Sequence, residues 1–340
     1  LIYLLSRFVK LSFLKNLILF IIVLTHYQLW RFGFEIRHET LIVLFIILTS
    51  LFIKKYLQTS ERKHIFWVGA FLSLLSFTAY KGFIYSIAMG GTFFLIEMIR
   101  KNKKSIRPLT FFLASYIIVS LLQMFLFYYF GHLPTFLKIM NNYVNETDTS
   151  MLFSPIGIYL DIIKSSPITV LTFIIGVYFF IKKKEFYNFK GWAILNVINI
   201  TILLHLNPAP FRYNIHTYLI VILIAVLALY DELPKVKKYL YIPLISIHLS
   251  LFLYFFISDY YMNYRNDHQL EYVKHAESLT TKDEPVFDLI GLIATRNQIH
   301  PHWWLYNAKM KNYYTGKLTY VADMIKQKWP PVIITNYRWP

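Results

Sequence analysis

The sequence predicts an α-helical polytopic membrane protein that ends in a small α/β extracytoplasmic domain. Three observations predict it. The chain of 340 residues is 56% hydrophobic and only 16% charged, with a mean hydropathy of +0.46. That is too apolar for a soluble globule. Its Lys and Arg residues fall in tight bursts between long apolar runs. From residue 258 onward that pattern stops, and short strand-like and helix-like segments replace it.

The bursts fix the order of the elements. They are Arg7/Lys10/Lys15, Lys54/Lys55/Arg62/Lys63, Arg100/Lys101/Lys103/Lys104/Arg107, Lys182/Lys183/Lys184/Lys190 and Lys235/Lys237/Lys238. Each neighbouring pair encloses room for two crossings of about 20 residues or slightly fewer. Short loops rich in Lys and Arg stay in the cytoplasm. About nine crossings are therefore expected, at 16–31, 40–53, 65–80, 83–99, 109–130, 163–181, 191–206, 213–230 and 239–257. Residues 31–39, 81–82, 131–160, 207–212 and 258–340 then lie outside a bacterial inner membrane. The runs 40–53, 65–80 and 191–206 are short, which suits a tilted or sheltered bundle.

Between 131 and 160, Pro134, Asn141, Asn142, Asn145, Glu146 and Asp148 make the chain too polar to span. Phe136, Leu137, Met140 and Tyr143 recur at helical spacing, so a short amphipathic helix on the outer surface is expected there. In the tail, 269–279 has helical spacing and Pro285–Ile290 reads as a buried strand. Tyr320–Lys328 reads as a helix and Pro331–Thr335 as a second strand. The domains expected are thus 1–257, a membrane bundle, and 258–340, an extracytoplasmic α/β domain.

The net charge of +17 does not point to nucleic acid. From Ser258 on, ten Lys and Arg face eight Asp and Glu, so almost all the excess sits in the membrane half. There it serves topology and contact with anionic membrane lipids. The chain has no Cys, which excludes disulfides and thiolate metal sites. Asn145-Glu-Thr147 and Asn199-Ile-Thr201 match a glycosylation sequon by chance. Leu1–Ser6 reads as the end of a helix whose start lies upstream, and the C-terminal end also reads as cut.

Arg37, Lys81 and Arg212 fall at outer ends of crossings, where the charge rule disfavours cations. A cation at mid-membrane costs about 2.5–3.5 kcal/mol on insertion scales. Lys81 lies in the expected turn Ala79-Tyr-Lys-Gly82. Arg212 lies in Asn207-Pro-Ala-Pro-Phe-Arg-Tyr213, where two prolines break helix geometry. Irregular backbone at that depth is tolerated where it lines a cavity. Such cations suit an anionic ligand such as a lipid phosphate. The plainer reading is that Lys81 snorkels to headgroups and Arg212 caps a helix.

Glu35-Ile-Arg37-His-Glu39 is a polar cluster that either orients a substrate or metal or forms a solvated ion pair. His205 and His216 flank the Arg212 loop and either meet a phosphate or satisfy backbone. His300-Pro-His302-Trp-Trp304 fits an interfacial aromatic belt better than a metal site. No Ser/His/Asp set, phosphate-cradling glycine loop or catalytic carboxylate pair stands out.

Phe34-Glu-Ile-Arg-His-Glu-Thr-Leu41, followed by an apolar helix and by Trp67-Val-Gly-Ala-Phe-Leu-Ser-Leu-Leu-Ser-Phe-Thr-Ala-Tyr-Lys-Gly82, resembles a pattern of the GT-C membrane glycosyltransferases. The resemblance is to the bacterial relatives of protein mannosyltransferase and of the aminoarabinose lipid A transferase. Arg37 matches the Arg of that family's Arg-Pro-Asp; His38 and Glu39 depart from the rest of it. Gly69 and Lys81 match the glycine-rich helix that ends in Lys. Asn207-Pro-Ala-Pro-Phe-Arg-Tyr-Asn-Ile-His216 is similar to the family's Pro-x-x-Arg-Tyr loop.

The resemblance implies an inverting transfer of a sugar from a polyprenyl-phosphate donor to a lipid, glycan or protein acceptor at the outer leaflet. It assigns the donor phosphate to Lys81 and Arg212, with Arg37, Glu39, Tyr213 and His216 in support. The catalytic base would be an acid in a first outer loop upstream of Leu1, within about 60–120 missing residues. It settles no cofactor: many members use no metal and others use a divalent one. Three other classes compete, one of them a membrane scaffold without chemistry, for which the outer cations are incidental. An O-antigen polymerase or ligase would place its key Arg and His residues in one large loop between crossings. A lipid or solute transporter would favour internal repeats, and none is visible.

Overall fold

The computed structural model describes residues 2–8, 21–23, 25, 39–100, 107–134, 136–137, 155–182, 186–206, 215–232, 238–258, 267–288, 331 and 333–334. The chain divides into two compact units, Leu1–Phe255 and Phe256–Pro340.

The described residues of the first unit form helices joined by short turns. Its helices are α1 (Ile2–Ser6), α2 (Glu39–Thr59), α3 (Arg62–Thr78), α4 (Tyr80–Arg100) and α5 (Arg107–Tyr129). They continue as α6 (Pro155–Ser165), α7 (Pro167–Ile181), α8 (Phe189–Leu206), α9 (Ile215–Ala228) and α10 (Lys238–Ile257). A 3-10 turn at Tyr230–Glu232 follows α9.

By length and composition, α2, α4 and α5 can each cross a membrane, and α6 with α7 add a fourth crossing if they count as one bent span. Helices overlie the runs expected to cross from 40–53 to 239–257. Helix α3, with 17 residues and a basic start, and the apolar parts of α8, α9 and α10 are shorter than a full crossing. The run at 16–31 lies almost wholly outside the described residues.

The core sits where α9 packs on α7, α8 and α2, and where α4 packs on α8. Helix α9 reads Tyr-Leu-Ile-Val-Ile-Leu-Ile-Ala, apolar on every side, and residues 217–225 are all buried. A helix without a polar face has to be enclosed. Helix α5 is the opposite case. It touches the bundle through α3, while Ile117, Ile118, Leu121, Leu122 and Phe125 on its far side are exposed. That face suits acyl chains.

Small residues let α3 approach its neighbours. A Cβ on Gly69 would collide with Ser115 Oγ and lie 2.5 Å from the Phe112 carbonyl, and a Cβ on Gly82 would collide with the Leu75 carbonyl. Hydrogen bonds fill the same seam: Gln123 Nε2 donates to Ser73 Oγ (2.8 Å), and the Ser76 and Tyr116 hydroxyls lie 2.8 Å apart. Small residues and interhelical hydrogen bonds are what join helices in lipid, where burial of apolar surface gives no drive.

Two expectations change. The turn around Lys81 is a single extended residue, Ala79 (φ −169°, ψ 165°), so Lys81 lies inside α4. The run 163–181 is broken at Ser166, and the helices on either side of it are bent by 103°. Pro167 starts α7 at a position where its missing N–H costs nothing. The short surface-type helix found is α6, which buries Ile158 and Ile162 and exposes Ile156, Leu160 and Ile163. The helix expected around 136–143 lies mostly outside the described residues.

In the second unit, α11 (Asp267–Ser278) covers most of the helix expected at 269–279. Phe287–Asp288 (β1) pairs in parallel with Ile333–Ile334 (β2), with Phe287 opposite Ile333 and Asp288 opposite Ile334. The helix expected at 320–328 lies outside the described residues.

Candidate functional site

Most of the described cations of the first unit gather at one end. Lys54 ends no helix: its ammonium donates to the carbonyls of Arg7 (3.1 Å) and Phe8 (2.6 Å), which lets α2 run on to Thr59. Arg100 Nη2 donates to the Leu57 carbonyl at 3.1 Å. Arg62 stacks over Phe111, 5.4 Å from the ring centre. Lys190 pairs with Glu232. Phe180, at the foot of α7, meets Phe186 with ring centres 5.5 Å apart, which brings Lys182 to this end too. Beside this cluster, Lys63 holds the Glu61 carboxyl below the usual carboxylate range by a hydrogen bond. Four separate stretches of sequence also wall one cavity of about 900 Å³ here, lined by residues that include Arg7, Lys54, Lys190 and Asp231.

Lys81 is at the other end. It lies in the first turn of α4 and Arg100 in the last, so the helix separates them by about 28 Å. Lys81 is half-buried. The other described cation at that end is Lys164, exposed on α6.

Helix α8 brings further polar groups to the Lys81 end. Asn199 Nδ2 donates to Thr92 Oγ1 at 3.0 Å and fixes the register of α8 against the antiparallel α4. From that bond, Lys81 lies about 16 Å up α4 and His205 about 9 Å up α8. Thr201 and Tyr218 join α8 to α9 through hydroxyls 2.5 Å apart. His205 is exposed. Its Nδ1 lies 2.8 Å from the Tyr159 hydroxyl and 3.0 Å from the Thr201 carbonyl. A proton on Nδ1 would bond the carbonyl; a bare Nδ1 would accept from Tyr159. Either way the ring is held against Tyr159, with centres 5.4 Å apart.

Of the residues singled out in the sequence, Lys81 and His205 are fully placed. Glu39 is the first residue of α2 and His216 the second of α9. Arg37, Arg212 and Tyr213 lie outside the described residues, as do His300 and His302. The structure therefore neither gathers nor separates the set as a whole. Among the described residues no three His, Asp or Glu side chains group to hold a metal ion.

Three features escaped the sequence reading. Tyr159 had no signal beyond its place in an amphipathic stretch. Asn199 did: an amide inside an apolar run has to face a partner, which a chance sequon match obscured. Glu97 did as well. It is an acid within a crossing, and its side chain is fully buried, 3.5 Å from Arg100 Nη1, with Tyr56 Oη donating to Oε2 at 2.7 Å.

Comparison with protein-family models, with curated proteins and with solved structures finds no match to this chain.

Proposed function

We propose that this protein is a membrane glycosyltransferase that moves a sugar from a polyprenyl phosphate to a lipid, glycan or protein acceptor at the outer leaflet of a bacterial inner membrane. The single observation that supports this most is the polarity of the bundle. A half-buried Lys81 stands at the end opposite the described basic bursts, on the side where the charge rule disfavours cations. The sequence resemblance supplies the chemistry. The full reading has about nine crossings and an extracytoplasmic α/β domain.

In this reading Lys81, with Arg212 from the connection between α8 and α9, binds the donor phosphate. Their charge stabilises the phosphate oxygens as the bond from the anomeric carbon to phosphate breaks. The acceptor hydroxyl oxygen attacks that carbon from the opposite face and inverts it. Its proton passes to a carboxylate general base. Arg37, Glu39, Tyr213 and His216 support the site.

The test is transfer by the full-length protein from a polyprenyl-phosphate sugar. Lys81→Met and Arg212→Met are each expected to lower transfer at least 100-fold with normal membrane insertion, since a lost electrostatic contact to developing charge costs about 10²–10³ in rate. Lys81→Arg should recover little, because a planar fork does not replace a compact ammonium. Near-normal transfer in both Met variants would remove the phosphate role.

Transport is the second reading, and two observations favour it. Buried Glu97 is an ionisable group within a crossing, and the α6–α7 break resembles a discontinuous transporter helix. Glu97→Gln separates the two. Glycosyl transfer should survive it in a stably inserted protein, whereas proton-coupled uptake should not.

A further inference from the structure

We propose that the cavity at the basic end binds the phosphodiester headgroup of an anionic lipid. The inference is independent of the glycosyl-transfer reading, which concerns the other end of the bundle.

The argument starts from what the cavity walls carry. Arg7, Lys54 and Lys190 line it, opposed by the one carboxylate of Asp231. They come from three different basic stretches, so folding has converged charges that repel each other. Glu232 does not line the cavity; it is bonded to Lys190. The local field thus rests on Arg7 and Lys54 against Asp231. Lys54 is held by the carbonyls of Arg7 and Phe8, which uses two of its three N–H donors. Arg7 bonds the Tyr3 hydroxyl and retains further donors of its five. Both cations are positioned by the protein before any ligand arrives, which lowers the entropy cost of binding.

Size and wall chemistry narrow the ligand. A cavity of roughly 900 Å³ is far larger than an inorganic anion needs. Gln58 and Asn188 add neutral donors beside the cations, and Leu57 and Leu227 add apolar wall. A phosphodiester with a glycerol arm matches both. The position agrees as well: the cavity lies at the ends of α2 and α9, at the level where headgroups meet the basic side of a membrane. A soluble phosphate monoester shares the anionic chemistry but makes no use of the apolar wall.

The experiment is native mass spectrometry of the full chain in detergent, titrated with phosphatidylglycerol, with phosphatidylcholine, and with soluble glycerol phosphate as competitor. Wild type should retain phosphatidylglycerol in preference to phosphatidylcholine, with little competition. The double variant Arg7→Gln/Lys54→Gln should weaken that retention about tenfold, at roughly a few-fold per cation. Lys63→Gln, an exposed cation of the same end outside the cavity, should leave it unchanged. Losing Lys54 could also loosen α1, so Asp231→Asn provides the opposite sign: it deletes the opposing carboxylate and should tighten retention. Equal retention in wild type, the double variant and Asp231→Asn overturns the proposal. Effective competition by glycerol phosphate overturns the lipid assignment in favour of a soluble phosphate ester.

Discussion

Gly69 shows how much one absent side chain decides. It was legible in the sequence as part of a glycine-bearing apolar helix, but its job was not. In the structure it is where α3 meets Ser115 and the Phe112 carbonyl of α5. Gly69→Val is expected to lower stability by about 1–3 kcal/mol, the range for overpacking a filled interface, and Gly69→Ala by less. Unfolding of the purified protein in detergent measures both; unchanged stability in the Val variant would mean that α5 is not seated this closely. Charged residues were read less well. The basic burst that begins at Lys54 places the end of a crossing at residue 53, while the helix runs on to Thr59. That placement omits acceptors from elsewhere in the chain, here the Arg7 and Phe8 carbonyls. Glu97 was passed over because one acid among 17 residues hardly alters hydropathy, although its type alone marks it.

At the level of elements, hydropathy located the helices and missed how they are joined. It treats 163–181 as one run, yet Ser166-Pro167 is a helix start, a signal present in the sequence but hidden by apolar neighbours. Nor could a single sequence rank the helices by depth. Helices α5 and α9 are both almost wholly apolar, and one is peripheral while the other is enclosed. The difference lies in the neighbours, not in the helix itself. It predicts that a photo-crosslinking residue at Ile118, 58% exposed, captures lipid in native membranes, whereas one at Ile220, 1% exposed, captures protein. Equal lipid capture at the two positions would show that α9 is not enclosed.

For the whole molecule, the basic bursts carried the most information. Charges far apart in sequence return to one end because each pair of crossings brings the chain back, and the cavity walls bring three such stretches together, at Arg7, Lys54 and Lys190. The candidate site was less legible. Lys81 was found by its wrong-side charge, while Tyr159 and His205 meet only through packing of α6 against the end of α8. The central claim is that the two ends of the bundle face opposite sides of the membrane, with the Lys81 end outside. A chain without native Cys permits the direct measurement, labelling of single-Cys variants in intact cells with an impermeant thiol reagent. Lys63→Cys and Lys182→Cys should be protected until the membrane is opened, while His132→Cys and Lys164→Cys should react at once. Labelling at 63 and 182 with protection at 132 and 164 would invert the molecule and contradict an outer-leaflet site at Lys81.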